Sequence, residues 1–273
     1  MKTISADKIK KTIAQLCVKA NLELRPDVLA ILKKARNTET SKRAKKLLGA
    51  IIENANVARA EQLAICQDTG MPVVFLAIGQ DVRISGSLQQ AVNKGVELGY
   101  KKACLRNSII KDPLARGKSF YSPVVVHVDI VPGSKLRITV LPKGFGCENK
   151  SLLKMFSPTA KIEELKGFII DAVKSAGPDA CPPYVLGVGI GGTADLASLL
   201  AKKALLRRLG ARGSKLETDL LKAINKLDIG PMGLGGKTTA LAVNIETHPT
   251  HIAGLPVALN FSCHALRSAT AAL

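Results

Sequence analysis

The chain has 273 residues, 47% of them hydrophobic, which suits a globular protein with a sizeable core and excludes an intrinsically disordered one. No apolar run approaches the ~20 residues that a membrane-spanning helix needs, and the first residues lack the apolar segment of a signal peptide. The sequence therefore predicts a cytoplasmic protein with no membrane association.

Basic residues outnumber acidic ones, 40 Lys and Arg against 21 Asp and Glu, for a net charge of +19. A basic protein can bind nucleic acid. However, aromatic residues make up only 3% of the chain, and the sequence has no RNP-like recognition motif. The charge favours a solvated basic surface without a nucleic-acid partner, and a nucleic-acid-binding protein is kept as an alternative.

The N-terminal region, to about residue 65, is predicted to be helical. Apolar residues recur there at helical spacing, as in Ile9 and Ile13. Pro26 suits the first turn of a following helix, where the N–H that proline lacks would have no partner. The apolar run from Met71 to Ile78 then predicts the first strand.

A helix is predicted over Ser87 to Leu105, followed by two strand candidates. These strands, Val124 to Val131 and Leu136 to Leu141, are joined by Pro132-Gly133-Ser134, which predicts a β-hairpin. A second amphipathic helix is predicted over Lys161 to Ser175.

Strands and helices alternate through the second half of the chain. The predicted elements are a strand at Tyr184 to Ile190, helices at Ala194 to Leu209 and Glu217 to Leu227, a strand at Ala240 to Ile245, and a last strand at Val257 to Phe261. This alternation predicts the α/β class. We expect a helical N-terminal region followed by mixed sheets with flanking helices, and a site on glycine-rich loops.

Two glycine-rich stretches formally match nucleotide-binding motifs. Gly187 to Gly192 fits G-x-G-x-x-G, but Leu206 to Gly210 stands where dinucleotide binding requires an acidic residue. Gly233 to Thr238 resembles a P-loop, but Pro231 occupies the position of its first glycine. We reject both nucleotide sites. The first stretch is interpreted as a tight turn that presents N–H groups to an anion, and the second as an anion cradle or an active-site wall.

Six cysteines lie at positions 17, 66, 104, 147, 181 and 263. In a cytosolic chain they are not expected to form a disulfide framework, and the lack of Cys-x-x-Cys argues against a zinc ribbon. Cys17 and Cys104 lie inside helical patterns and are interpreted as buried small hydrophobes. Cys66 and Cys181 instead lie in loops rich in Pro, Gly and polar residues, which favours a chemical role.

Several motifs together resemble one family. They are Cys-Gln-Asp-Thr-Gly at 66–70, Glu-Asn-Lys-Ser at 148–151, Cys-Pro-Pro at 181–183, Gly-Ile-Gly-Gly-Thr at 189–193, Gly-Pro-Met-Gly-Leu-Gly-Gly-Lys-Thr-Thr at 230–239 and His-Pro-Thr-His-Ile-Ala-Gly-Leu-Pro-Val at 248–257. In this order they resemble the alpha subunit of two-subunit class I fumarate hydratases and L-tartrate dehydratases. That subunit corresponds to the N-terminal half of the single-chain class I fumarases.

The resemblance covers nearly the whole chain from about Ala50 onward. We therefore expect one iron–sulfur hydro-lyase domain over residues 1–273, with a helical part at 1–65 and an α/β part at 66–273.

The resemblance implies an oxygen-sensitive 4Fe-4S cluster held by Cys66, Cys181 and Cys263. Three thiolates for four irons leave one iron open to water or substrate, which is a Lewis-acid arrangement. The family commonly has Ser where this chain has Cys147, so a spare thiol lies near the expected cluster. Whether Cys147 is a ligand, and what His248 does, stay open.

The implied reaction is the reversible hydration of fumarate to (S)-malate. Gln67 and Asp68 would line the pocket, with Asp68 orienting or deprotonating a base. Arg106 would bind a substrate carboxylate with its guanidinium fork, and Gly146 would offer a backbone N–H. His251 would hydrogen-bond the substrate or act as an acid–base group.

In the single-chain relatives further substrate-binding residues come from the C-terminal half, which has no counterpart in this sequence. The resemblance therefore implies an obligate beta subunit that completes the active site around a dicarboxylate. Two further alternatives stay open: L-tartrate dehydration to oxaloacetate by the same chemistry, and a non-catalytic iron–sulfur or anion-sensing module.

Overall fold

The structure is a computed structural model that describes residues 2–211 and 213–273 of the chain. The chain folds into two compact units. The first unit runs to Arg25, resumes over Ala55–Phe145 and ends with Arg267–Leu273, while the second comprises Pro26–Asn54 and Gly146–Leu266. Each unit combines helices with its own sheets, which confirms the predicted α/β class.

Helices and strands are mixed along the chain. In order they are β1 (Lys2–Ser5), α1 (Ala6–Leu22), α2 (Pro26–Thr38), α3 (Lys42–Glu61), β2 (Met71–Gly79), β3 (Val82–Ser85), α4 (Leu88–Lys102), β4 (Ile109–Asp112), β5 (Arg116–Phe120), β6 (Val125–Val131), β7 (Leu136–Lys143), α5 (Phe145–Glu148), β8 (Leu152–Phe156), α6 (Ile162–Ala176), β9 (Tyr184–Gly191), α7 (Ala194–Ala204), α8 (Lys215–Asn225), β10 (Ala240–His248), β11 (Leu255–Ser262) and β12 (Ala269–Ala272). In the ranges that the structure describes, every helix is too short or too polar to cross a membrane.

The first unit contains a four-stranded sheet in the order β12-β7-β2-β6. Its strand β2 pairs antiparallel with β7 and parallel with β6. The predicted hairpin of β6 and β7 is therefore wrong, because β2 lies between them. The physical reason is the unbroken buried run from Pro72 to Leu76 in β2, which is typical of a strand covered on both faces and paired on both edges.

Helices α1 and α4 pack at unusually short range in the first unit. A Cβ atom added at Gly95 would lie 2.7 Å from the carbonyl oxygen of Lys10, and one at Gly99 would lie 2.6 Å from that of Ala14. Glycine at these two positions of α4 therefore lets the two helix backbones approach each other. Both helices carry polar residues that hold the candidate site described below.

The second unit contains a four-stranded sheet in the order β10-β9-β11-β8. Strand β9 is parallel to β10 and antiparallel to β11. Helix α7 covers β9 so closely that a Cβ atom at Gly187 or Gly189 would lie 2.0 Å from the carbonyl oxygen of Ala201 or Ala197. These two glycines of the G-x-G-x-x-G match therefore allow a helix to pack on a strand, a role that needs no nucleotide.

The predicted strand at Val257 to Phe261 is confirmed as part of β11, but the prediction that it is the last strand is wrong. Strand β12 follows it and pairs antiparallel with β7, with the hydroxyls of Thr139 and Thr270 hydrogen-bonded at 2.8 Å. The sequence of β12, Ala-Thr-Ala-Ala, is too short and too weakly apolar to signal a strand locally. Its pairing with a strand far away in the sequence creates it.

Candidate active site

The loop from Cys66 to Gly70 lies between α3 and β2, and buried groups of the first unit hold its backbone. Tyr100 is only 2% exposed, and its hydroxyl donates to the carbonyl oxygen of Thr69 at 2.9 Å. The carbonyl oxygen of Gly70 lies 3.3 Å from the same hydroxyl. Burial raises the pKa of Tyr100, so its hydroxyl stays a neutral donor. Gly70 has a φ of 74°, and a Cβ atom there would lie 2.8 Å from the backbone nitrogen of Lys143, so glycine is required.

Asp68 is held rigidly inside this loop. Its Oδ1 accepts a hydrogen bond from the backbone N–H of Gly70 at 3.0 Å, and its Oδ2 accepts one from that of Phe145 at 2.8 Å. Nη2 of Arg267 donates to the backbone carbonyl of Asp68 at 2.7 Å, and Nη1 of Arg267 donates to Asn21 at 3.2 Å. The carboxylate therefore has one defined orientation, which a positioned catalytic group needs.

Arg106 and Gln67 lie beside Asp68 in the first unit, and both are accessible to solvent. The backbone N–H of Arg106 donates to the Thr69 hydroxyl at 3.2 Å, and its Nη1 lies 3.5 Å from the carbonyl oxygen of Gln67. The predicted residues Gln67, Asp68 and Arg106 are therefore brought together, next to Cys66. The exposed guanidinium of Arg106 is accessible to a carboxylate.

The pairing of β9 with β11 brings Cys181 and Cys263 to one end of the second unit's sheet. Val185 of β9 lies opposite Ser262 of β11, so Cys263 follows β11 at the end where Cys181 precedes β9. The backbone N–H of His264 donates to the carbonyl oxygen of Cys181 at 3.4 Å, and its Nδ1 lies 3.1 Å from the same oxygen. Both cysteines are half-buried, and neither forms a disulfide.

The Glu-Asn-Lys-Ser motif at 148–151 supports the loop that carries Cys181. Lys150 forms an ion pair with Asp179 at 2.8 Å, two residues before Cys181. Glu148 pairs with Lys202 of α7 and also accepts a hydrogen bond from Asn260 of β11 at 3.0 Å. The motif therefore ties the Cys181 loop to a helix and a strand, a structural role that its charged residues do not reveal on their own.

Gly146 and Cys147 lie in the short helix α5, at the same end of the sheet. A Cβ atom at Gly146 would lie 3.7 Å from the carbonyl oxygen of Asp179, so this glycine adjoins the Cys181 loop. Cys147 is 6% exposed, and its thiol donates to the carbonyl oxygen of Ala180 at 3.3 Å. That contact suits a protonated thiol packed as a small hydrophobe.

The two histidines of the His-x-x-His stretch adopt opposite tautomers when neutral. Nδ1 of His251 accepts a hydrogen bond from the backbone N–H of Ala253 at 3.1 Å, so the proton of a neutral ring lies on Nε2. Nδ1 of His248 lies 2.8 Å from the carbonyl oxygen of Pro249 and must donate to it, which leaves Nε2 as an acceptor. Both side chains are exposed.

His251 lies at the opposite end of the sheet from Cys181 and Cys263. His248 is the last residue of β10 and lies opposite Gly191, the last residue of β9. Cys181 instead lies before Tyr184, the first residue of β9. At ~3.3 Å per residue, the length of β9 separates the two ends by roughly 25 Å. Within one chain, His251 therefore cannot contact a substrate that is bound at these two cysteines.

The cysteine set expected from the resemblance is divided between the units: Cys66 belongs to the first, and Cys181 and Cys263 belong to the second. Within residues 2–211 and 213–273, no three His, Cys, Asp or Glu side chains are gathered as a metal site. The donor chemistry of the second unit nevertheless suits an iron–sulfur group, because two half-buried thiols lie on adjoining loops.

The remaining cysteines behave differently from each other. Cys17 is fully buried in α1, where burial raises the pKa of its thiol, as expected for a small hydrophobe in a core. Cys104 is exposed and lies beyond the end of α4 with a φ of 52°. The interpretation of Cys104 as a buried helical residue is therefore wrong, because the chain leaves the helix before reaching it.

The protein's own carboxylates occupy the glycine-rich loop at 230–237. Glu39, which is buried, accepts a hydrogen bond from the backbone N–H of Lys237 at 2.9 Å, and Asp228 accepts one from that of Gly236 at 2.9 Å. At the N-terminus of α7, Asp195 has a lowered pKa because the Thr193 side chain and backbone N–H groups hydrogen-bond to it. Carboxylates of the chain itself therefore accept hydrogen bonds from backbone N–H groups that the sequence had suggested for binding an anionic ligand.

Sequence reasoning missed three buried residues that lie at these loops: Tyr100, Tyr184 and Arg267. Arg267 is 3% exposed, and its Nε–H has no hydrogen-bond partner in the part of the chain that the structure describes. A lone arginine or tyrosine carries no motif, so only burial identifies these residues.

The profile of the family described as "Fumarate hydratase (Fumerase)" matches residues 10–272. The chain belongs to this family.

Named relatives agree with this assignment. A Methanocaldococcus jannaschii protein named "Putative L(+)-tartrate dehydratase subunit alpha" is 41% identical over 96% of each chain. The L(+)-tartrate dehydratase alpha subunit of Escherichia coli K12 is 30% identical over 97% of this chain and 91% of its own. The proteins so named add or remove water, so the family's chemistry is that of hydro-lyases.

Replacing Arg267 by Met should destabilise the first unit. The change leaves two acceptors, the Asp68 carbonyl and the Asn21 side chain, without their donor, at about 1–3 kcal/mol each. Urea denaturation would measure the loss, with Arg83→Met, an exposed arginine of the same unit, as the matched control. Equal unfolding free energies for the two variants would contradict the role assigned to Arg267.

Proposed function

We propose that the protein is the alpha-type subunit of an iron–sulfur hydro-lyase that reversibly hydrates fumarate to (S)-malate. The observation that carries the proposal is the meeting of Cys181 and Cys263 at one end of the β9–β11 pair. It occurs in a chain that matches the fumarate hydratase family over residues 10–272. We place the protein in the cytoplasm, where its thiols stay reduced.

We propose Cys66, Cys181 and Cys263 as the ligands of a 4Fe-4S cluster. When bound by three thiolates, such a cluster supplies one open, Lewis-acidic iron for a substrate oxygen. Cys147 is left out of the ligand set, because its thiol donates to a backbone carbonyl inside the core.

The residues around Cys66 would bind and orient the dicarboxylate. Arg106 presents an exposed guanidinium, whose fork binds a carboxylate through two parallel hydrogen bonds. Gln67 is also exposed and would line the same surface with its amide. Asp68, fixed by two backbone N–H donors, would orient the group that removes the C3 proton or would accept that proton itself.

Gly146 and His251 would stabilise negative charge and handle protons. Gly146 lies in the first turn of α5, where an amide N–H has no acceptor within the helix, and it adjoins the Cys181 loop. His251 carries a proton on Nε2 when neutral and can donate it to a substrate oxygen. Since His251 lies at the far end of its own sheet, we assign it to the active site of a second copy of the chain.

L(+)-tartrate dehydration to oxaloacetate is the second candidate activity. It is favoured by the names of the relatives, which include L(+)-tartrate dehydratase alpha subunits 30% and 31% identical to this chain. The chemistry is the same elimination of water from a hydroxy-diacid. For either substrate we propose a beta chain as partner, because the relatives are named as alpha subunits.

Removal of any proposed ligand should abolish the cluster. After anaerobic reconstitution we expect iron and acid-labile sulfide in the wild type and their loss in Cys66→Ala, Cys181→Ala and Cys263→Ala, because three thiolates are needed. The exposed Cys104→Ala is the matched control and should load fully, as should Cys147→Ala. A cluster that survives loss of Cys181 would contradict the ligand set.

The chain should need its partner for turnover. Protein tagged and purified anaerobically from its natural source, with the chain that co-purifies, should hydrate fumarate at least tenfold faster than the isolated, reconstituted chain. Assaying fumarate and L(+)-tartrate side by side on both samples decides the substrate. If the isolated chain hydrates fumarate as fast as the co-purified assembly, the chain does not need a partner.

Two inactive variants should complement each other if His251 acts in a second copy. His251→Ala and Cys181→Ala chains, co-expressed together with the partner chain and purified as mixed assemblies, should regain up to about a quarter of wild-type activity, since some sites then contain both residues. Each variant alone should stay inactive. Mixed assemblies as inactive as the single variants would show that His251 does not serve a neighbouring chain.

A further inference from the structure

Tyr184, the first residue of β9, carries a buried hydroxyl without a partner. The residue is fully buried, and its hydroxyl has no hydrogen-bond partner among the residues that the structure describes. Its ring packs edge-on against Phe261 of β11, with centroids 5.6 Å apart and an interplanar angle of 85°. Buried hydroxyls are normally hydrogen-bonded, so an orphan of this kind requires a physical explanation.

Strand register and core packing place Tyr184 among the cysteines of the second unit. Val185 and Ser262 form the last pair of the β9–β11 ladder, so Tyr184 and Cys263 are the next residues along the two strands at that end of the sheet. Tyr184 and Cys147 belong to one apolar cluster, against which Cys263 also packs. Cys181 itself lies three residues before Tyr184.

The electrostatic surroundings agree with this placement. Burial raises the pKa of Tyr184, and the nearby Cys147, Cys181 and Asp179 raise it further. The hydroxyl therefore stays protonated and remains a donor at every physiological pH.

We propose that the Tyr184 hydroxyl donates a hydrogen bond to the sulfur of Cys181 once that sulfur is a cluster-bound thiolate. A neutral thiol is a weak acceptor, whereas a thiolate carries negative charge and accepts strongly. The inference rests on the proposed function, because it requires Cys181 to be a ligand. It makes Tyr184 a positioning residue that acts through the sulfur and does not contact the substrate.

Such a hydrogen bond has a defined electronic effect. Donors to ligand sulfurs stabilise the more negatively charged, reduced cluster and so raise its reduction potential. Loss of the donor should lower the potential and make the cluster easier to oxidise. Tyr184 would therefore protect an oxygen-sensitive cofactor.

The test compares Tyr184→Phe with wild type, using Tyr121→Phe in the first unit as the matched control. In reconstituted protein we expect Tyr184→Phe to lower the midpoint reduction potential of the cluster. A redox titration monitored by electron paramagnetic resonance would measure this potential. We also expect cluster absorbance to bleach in air about two- to tenfold faster, the size of effect that one hydrogen bond supports. In cluster-free protein the variant should unfold no earlier than wild type, because the hydroxyl removed there has no partner.

Unchanged potential and bleaching in a normally loaded Tyr184→Phe protein would overturn this inference and leave the proposed function standing. Failure of wild-type protein to take up iron and sulfide would overturn both. Earlier unfolding of the cluster-free variant would also overturn the inference, because it would show that the hydroxyl already has a structural role.

Discussion

The antiparallel pairing of β9 with β11 is the constraint on which the second unit's site depends. One strand begins and the other ends at the same edge of the sheet, so the residues flanking them must meet. That edge receives two half-buried cysteines and the buried Tyr184. The parallel pairing of β10 with β9 leads the chain to the far end of the sheet, where His251 lies. A shift of register by one residue would turn Tyr184 away from Cys263.

Polar groups, some of them buried, hold the loops that carry the candidate residues. Tyr100 and Arg267 bind backbone carbonyls of the Cys66 loop. In the second unit, Lys150 pairs with Asp179, and Glu148 pairs with Lys202. Hydrogen bonds and ion pairs of this kind are directional, so they hold a loop in one conformation where a purely apolar contact would let it slide.

The glycine-rich motifs show why a local pattern can mislead. Gly187 and Gly189 belong to a G-x-G-x-x-G match, yet their missing side chains make room for the backbone of α7. The P-loop-like stretch directs its amides at Glu39 and Asp228, which are anions of the same chain. In both places a glycine allows another group to come close to the backbone. Only the tertiary structure shows whether that group is a helix backbone or a carboxylate.

Local sequence determined the class of the fold, most helices and strands, and the motifs that indicated the family, because hydrophobic periodicity and turn residues act over short distances. Tertiary structure decided the rest. The central position of β2, which overturned the hairpin, and the formation of β12 depend on partners far along the chain. The burial of Arg267 and Tyr184 and the separation of His251 from Cys181 also follow from strand order, because non-local pairing determines which ends of the strands meet.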